Sequence, residues 1–347
     1  MRFIIPTIVL VLLLALPVSA AELTAPAVPD SGAEFMPEDT GSFTDALWEI
    51  LTKALKSIRP DIQEAGSLCL GLCGIVLLIS LVQTFPGITS NITDLVGVIA
   101  IAGLLLRRTN ALLHLGVDTV EEISQYGKLL LPVMTAAMAA QGGITASTAL
   151  YTGTALFDSI LSHWIVGMMT PMIYLYLALA AANSAIGEDV LKKFRDFMKW
   201  LMVWTLKIIL YVFTGYMGIT GVVSGTTDAA ALKAAKITIS GVVPVVGGIL
   251  SDASEAVLVS AGVVKNAAGI YGLLAVLSVC IGPFLKIGSH YLMLKAAGSL
   301  CSVFGSKRIS EFVSDFSTAM GLLLAMTGSV CLLLLISTVC FLRGVSG

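Results

Sequence analysis

The sequence predicts an all-α, polytopic integral membrane protein with about six transmembrane helices, and three observations lead to this fold class. Of its 347 residues, 57% are hydrophobic and only 12% are charged, whereas soluble proteins carry about 25% charged residues. The mean hydropathy is +0.95, and the apolar residues collect in runs long enough to cross a bilayer. The formal net charge is −2, so the composition favours a lipid bilayer as partner and argues against nucleic acid.

Residues 1–20 have the composition of a signal peptide. Arg2 supplies a positive charge, residues 3–16 form an apolar core, and residues 18–20 match the small-residue cleavage pattern. A retained signal anchor is the alternative. Residues 21–42 are acidic and contain prolines, and we expect them to form a disordered lead-in on the outer side of the membrane.

Residues 43–60 are predicted to form an amphipathic helix. Apolar residues from Phe43 to Ile58 recur at helical spacing. Ser42 and Asp45 are placed for a capping box, and Pro60 is expected to end the helix. The sequence leaves open whether the apolar face lies on the membrane surface or packs on the protein.

The polytopic membrane domain is predicted over residues 67–342. Two apolar segments within it, 129–140 and 237–250, are too short to cross a bilayer comfortably and are interrupted by proline or glycine. We expect these two to be re-entrant, with full crossing as the alternative. The six predicted spans are 67–85, 91–106, 160–183, 200–223, 269–294 and 316–342.

The two short segments recur at corresponding places, which indicates a tandem repeat. Pro132 and Pro244 are separated by 112 residues, as are Pro171 and Pro283. A pair of glycines follows the first proline of each set, at 142–143 in one copy and at Gly247 and Gly248 in the other. We therefore predict parallel repeat units at about 91–199 and 200–315, with 316–342 as a final helix.

The positive-inside rule gives the predicted orientation. If the chain begins outside and the two short segments are re-entrant, the basic loops 188–199 and 303–312 both lie in the cytoplasm. Arg107 and Arg108 disagree with this topology, because it leaves them outside.

Signals for catalysis are weak. The sequence has no phosphate-binding loop and no nucleophile elbow, the three histidines are isolated, and the six cysteines lie in or beside apolar runs. We expect no enzymatic activity, no cofactor and no metal. Lysines inside predicted spans are the stronger signal, since a charge at the bilayer centre costs at least about 2.5 kcal/mol. Lys207 and Lys286 either reach to the interface or line a polar pathway.

Residues 221–253 are the most informative segment. A glycine-rich turn precedes a small-residue helix that carries Asp228, Lys233 and Lys236, and Pro244 then leads through a double glycine to Asp252. Transporters place substrate or ion sites at broken helices of this kind. Close helix packing through glycine and alanine is the alternative. The candidate conduit or packing residues are Pro132, Lys207, Asp228, Lys233, Lys236, Pro244, Gly247, Gly248, Asp252 and Lys286.

Four motifs resemble the stage III sporulation protein AE family of endospore-forming bacteria: SIRPDI at 57–62, FPGIT at 85–89, SGTTDAAALKAAK at 224–236 and PVVGGILSDA at 244–253. The resemblance extends from about Phe43 to Leu342 and carries over no catalytic residue.

The resemblance implies a multi-pass protein of the mother-cell membrane around the forespore. Its implied role is that of a non-enzymatic subunit of a channel or secretion-like complex required for forespore development. The implied partners are membrane and ring-forming proteins of the same operon, including an ATPase, and through them a forespore membrane protein. An autonomous secondary transporter and a structural membrane scaffold are the alternatives.

Overall fold

The structure is a computed structural model, and it describes residues 26–37, 42–85, 90–140, 144–186, 189–219, 267–304 and 307–345. These residues form α-helices and one π-helical turn, with no β-strand among them. The all-α prediction is therefore confirmed. The helices are α1 Asp30–Ala33, α2 Phe43–Ser57, α3 Arg59–Gln83, α4 Ser90–Ala140, α5 Ile144–Trp164, α6 Thr170–Ile186, α7 Asp189–Ile219, α8 Ala267–Phe304 and α9 Lys307–Val345, and the π-helical turn Ile165–Met169 joins α5 to α6.

Six helical runs among the described residues are long and apolar enough to cross a membrane, in the order that the sequence predicts. Each overlaps one predicted span, so the prediction of a polytopic membrane protein is confirmed over the described residues. The six runs are Arg59–Gln83, Ile92–Ala136, Ser147–Ile186, Val190–Met217, Gly269–Val303 and Lys307–Leu342.

The structure differs from the prediction where the first short segment was expected. Residues 129–140 are the last part of α4, which also includes residues 107–128, and Pro132 lies inside this continuous helix. A proline normally breaks a helix, but the buried face of α4 continues on both sides of Pro132 through Leu131 and Met134. The second short segment, 237–250, lies outside the described residues, and the repeat stays a prediction.

Helix α9 lies at the centre of the bundle. In its most apolar stretch 94% of the residues are buried, against 22% in the corresponding stretches of α3 and α7. It packs against α8, α4, α5, α6 and α7. Glycines on the neighbouring helices allow this close approach: Gly116 of α4 faces Leu323, and Gly269 of α8 faces Leu342.

The contacts with α9 fix the directions of the other helices. Gly97 faces Ile309 and Gly127 faces Leu334, so α4 runs parallel to α9. Lys192 contacts Glu311 and Arg195 contacts Asp315, so α7 also runs parallel to α9. These last two pairs bring the basic segments of α7 and α9 to the same end of the bundle, as predicted.

The N-terminal part of the chain packs on α8. Within the predicted disordered lead-in, residues 26–37 are ordered, and Phe35 is buried. The apolar face of α2 is also buried on the protein, through Phe43, Ala46, Ile50 and Ala54. The Ser42 side chain forms no capping hydrogen bond, so the predicted capping box is absent. Pro60 lies in the first turn of α3 instead of ending a helix, where a missing N–H does no harm.

Candidate functional site

The strongest candidates for function are charged side chains held between the helices, since such groups are costly in an apolar bundle. They form two clusters and one pair. The α3–α4–α8 cluster contains Asp61, Glu64, Arg108, Lys286 and His290, the α6–α7–α9 cluster contains Tyr176, Arg195, Asp196 and Asp315, and the α4–α5 pair is Ser124 with Asp158.

In the α3–α4–α8 cluster, two ion pairs tie the start of α3 to its neighbours. The Lys286 Nζ atom lies 3.1 Å from the Asp61 Oδ1 atom, and Arg108 forms an ion pair with Glu64. The His290 ring is buried, and its Nδ1 atom lies 3.0 Å from the Lys286 carbonyl oxygen. Because a carbonyl oxygen only accepts, this nitrogen carries the hydrogen. The cluster thus neutralises Lys286, the lysine that the sequence indicates as unusual.

The α6–α7–α9 cluster is built around a buried carboxylate. The Arg195 Nη1 atom donates to the Asp315 Oδ2 atom at 2.6 Å, and the Tyr176 hydroxyl donates to the Oδ1 atom at 2.9 Å. Arg195 also donates from Nε and Nη2 to Asp196 Oδ1, at 3.1 and 2.9 Å. Arg195 and Asp315 are only 6% and 7% exposed. Such a fully hydrogen-bonded arrangement fixes three helices in one relative position.

The α4–α5 pair has the fewest hydrogen bonds of the three sites. Asp158 is 5% exposed, and its Oδ2 atom accepts a hydrogen bond from the Ser124 hydroxyl at 2.7 Å. One turn before Asp158, the Thr154 hydroxyl donates to the Ser337 hydroxyl of α9 at 2.9 Å. One turn after it, the buried Ser162 hydroxyl has no hydrogen-bond partner. Polar groups thus lie along the inner side of α5 up to the π-helical turn. Such π-helical turns often occur at functional sites.

Three of the ten predicted site residues lie within the described part of the chain, each in a different place. Lys286 belongs to the α3–α4–α8 cluster, Pro132 lies inside α4, and Lys207 lies on the exposed side of α7. The structure does not bring these three together. The other seven residues, Asp228, Lys233, Lys236, Pro244, Gly247, Gly248 and Asp252, lie outside the described residues.

Sequence reasoning did not single out Asp61, Tyr176, Asp158 or Asp315. Their partners lie between 34 and 225 residues away in the chain, so local spacing contains no trace of the pairs. One signal was present: Asp158 and Asp315 are acidic residues in or beside strongly apolar stretches.

In the part of the chain that the structure describes, no group of three or more histidine, cysteine or acidic side chains is arranged to hold a metal ion. The six cysteines are free thiols. What the charged clusters can do is hold helices in register or bind an ion.

Comparison with known proteins gives the family. The family model described as Stage III sporulation protein AE matches residues 33–343. The curated Stage III sporulation protein AE of Bacillus subtilis (strain 168) is 22% identical over 203 residues, which cover 58% of this chain and 51% of that protein. The chain thus spans about half the length of the curated relative that it matches. No solved structure matches the chain. This chain belongs to the stage III sporulation protein AE family.

Proposed function

We propose that this chain is a non-enzymatic membrane subunit of the channel or secretion-like complex that connects mother cell and forespore, and that forespore development requires it. The observation that carries the proposal is the family match over residues 33–343 in a chain with six membrane-crossing helices. The charged clusters support it, because buried, fully paired ions fix helix positions, as a stable membrane subunit requires.

The proposed partners are the membrane and ring-forming proteins of the same sporulation operon, including an ATPase, and through them a forespore membrane protein. The proposed location is the mother-cell membrane that surrounds the forespore, with the N-terminal segment on the outer side. In that position α1 and α2, packed on α8, face the space between the two membranes.

The test is to purify the affinity-tagged full chain from the bacterium that encodes it, in detergent, at the stage when the forespore has been engulfed. We expect the ATPase and the ring-forming proteins to co-purify with it. A polytopic membrane protein of unrelated function, tagged and expressed at the same stage, is the control. If deletion of the gene leaves sporulation intact and no operon product co-purifies, the proposal is wrong.

One observation favours the second candidate, an autonomous secondary transporter: the buried Asp158 carboxyl accepts one hydrogen bond from a hydroxyl, and the Ser162 hydroxyl one turn later has no hydrogen-bond partner. Such a carboxyl suits a proton or a cation. The purified chain alone in liposomes, loaded with a pH-sensitive dye, distinguishes the two candidates. Proton flux that is lost in Asp158→Asn and retained in the exposed Ser159→Ala control would favour the transporter.

The scaffold alternative is tested by substitution of Lys286, Asp228 and Asp252. A conduit through these residues requires that at least one substitution impairs sporulation while the complex still assembles. If sporulation and assembly survive all three changes, the chain acts as a scaffold.

A further inference from the structure

Helix α7 exposes a regular stripe of aromatic and basic side chains. Its residues alternate at spacings of four and three, the repeat of a coiled-coil seam. Phe197, Trp200 and Trp204 stack on one another, with ring centroids 6.0 and 5.5 Å apart. Each of the three is about half exposed, at 48%, 53% and 50%. The α7 stripe consists of Lys193, Phe197, Trp200, Trp204, Lys207 and Tyr211.

Neither lipid nor water suits the whole of the α7 stripe. Lys207 has no ion pair with any described residue, and its neighbours on the exposed side are aromatic. It lies about 12 Å along the helix from Lys199, the last residue of the basic segment, too far for its ammonium to reach the charged end of α7. Lipid would leave this charge without a partner, and water would leave two stacked tryptophans uncovered. The stripe therefore requires a protein surface that offers a carboxylate.

Helix α4 exposes a stripe with the same repeat, but this stripe carries acidic side chains where the α7 stripe carries a lysine. Its spacings also alternate between four and three, and its middle carries two acids, Asp118 and Glu121. Neither acid has an ion pair with a described residue. The first half of α4 differs, because it exposes Ile92, Leu95 and Ile99. The α4 stripe consists of Arg107, Ala111, His114, Asp118, Glu121 and Gln125.

The two stripes lie at the same level of the bundle. Gly116 of α4 faces Leu323 and Thr327 of α9, and Asp118 follows two residues later. Arg195 of α7 contacts Asp315, so Lys207 comes level with about residue 327 of α9 at the usual rise of about 1.5 Å per residue. Both helices run parallel to α9. The acids of α4 and the lysine of α7 thus share one depth and one direction while they lie on different helices.

We propose that the α4 stripe of one copy of this chain docks on the α7 stripe of a second copy, with Lys207 paired to Asp118 and Glu121. A symmetric contact between two α7 stripes is excluded by charge, because it would oppose lysines and supply no acid. The docking is head-to-tail, so each copy uses α4 on one side and α7 on the other. Such contacts close into a ring or continue as a filament. This inference does not depend on the proposed channel role.

The decisive experiment exchanges the charges and measures the mass of the full-length protein in detergent by native mass spectrometry. We expect the wild type to form oligomers. Lys207→Glu alone, or Asp118→Lys with Glu121→Lys, should raise the dissociation concentration at least about tenfold, because like charges then meet. A mixture of the two variants should assemble again, since every contact between unlike copies is complementary. The control is Lys295→Glu, the same change on an exposed position of α8, which should assemble as the wild type does.

Cross-linking tests the head-to-tail geometry independently. Gln125→Cys and Tyr211→Cys chains, mixed and oxidised, should form a disulfide-linked dimer, whereas each chain alone should not. Leu70→Cys on α3, 75% exposed, replaces Gln125→Cys as the control. A monomeric wild type, an unchanged mass after charge exchange, a mixture that fails to reassemble, or a dimer of the Tyr211→Cys chain alone would each overturn the proposal.

Discussion

At the scale of single residues, the bundle depends on a small number of charges whose partners come from other helices. Asp315 is the clearest example, because both of its carboxylate oxygens accept hydrogen bonds and all three guanidinium nitrogens of Arg195 donate them. Paired charges of this kind add little net stability in comparison with well-packed apolar residues, but removal of one partner leaves the other charge buried alone. The arrangement therefore makes helix register specific more than it makes the protein stable.

Asp315→Ala is expected to lower the free energy of unfolding by about 3–5 kcal/mol, because the Arg195 guanidinium would stay buried without its carboxylate. Thermal or denaturant unfolding of the detergent-solubilised chain measures the loss. The matched control is Lys192→Ala, which removes a pair 3.5 Å long with side chains 42% and 33% exposed and should cost less than about 1 kcal/mol. Equal losses for the two variants would contradict this account of the α6–α7–α9 cluster.

The Lys286–Asp61 pair is expected to set the position of α3 against α8. Lys286→Asp places two carboxylates together and should weaken the contact, whereas Lys286→Asp combined with Asp61→Lys restores opposite charges. The rate of limited proteolysis between α2 and α3 in the solubilised chain measures how firmly α3 is held against α8. We expect faster cleavage in the single variant and wild-type cleavage in the double variant. Failure of the exchange to restore protection would mean that Lys286 acts otherwise than through Asp61.

At the scale of elements, the N-terminal segment is the part whose packing the sequence least suggests. Its acidic, proline-bearing composition favours disorder, yet Gly32 lies directly against the α8 backbone. A Cβ atom at this position would meet the Val279 backbone nitrogen at 2.8 Å and its Cγ2 atom at 2.7 Å. Main chain cannot move aside as a flexible side chain can, so glycine is required here.

Gly32→Ala is therefore expected to release residues 26–37 from α8 and to expose Phe35. Hydrogen exchange of the α1 amides and of α8 near Val279 would show the release as lost protection. Gly298→Ala is the control on α8, because the nearest atom to its Cβ would be 3.6 Å away, an ordinary contact. Unchanged protection in Gly32→Ala would show that the segment docks without this close approach.

The helix boundaries illustrate how far sequence pattern extends at this scale. Hydropathy predicts where the chain is apolar, and each predicted span overlaps an observed helix. It does not predict that α4 continues through residues 107–128, because charges such as Asp118 are typical of a connecting loop when their exposed position is unknown. It also does not predict which helix is central: the mean hydropathy of α9 is 2.4 and that of α3 is 2.5, yet α9 is central and α3 is as peripheral as α7, whose mean hydropathy is 1.4. Burial among helices depends on tertiary packing, which a one-dimensional pattern does not contain.

At the scale of the whole molecule, the pairing of Arg108 with Glu64 bears on the disagreement with the positive-inside rule. Arg108 is paired with a carboxylate from the start of α3, whereas Arg107 lies on the exposed side of α4 and has no ion pair with a described residue. In the basic segment of α7, Lys193 and Lys199 have no ion pair with a described residue, so this segment keeps an excess of positive charge. The disagreement therefore stays with Arg107, and the orientation stays a prediction.

The orientation gives the last prediction. In intact non-sporulating cells that express the chain, a membrane-impermeant thiol reagent should label Trp48→Cys on α2, which is 73% exposed, because the proposed orientation places the N-terminal segment outside. Val190→Cys, also 73% exposed but at the basic end of the bundle, should be labelled only after the membrane is permeabilised. The wild-type chain is the control for its six native thiols, of which four are buried. Labelling of Val190→Cys in intact cells would reverse the topology, and with it the assignment of α1 and α2 to the space between the two membranes.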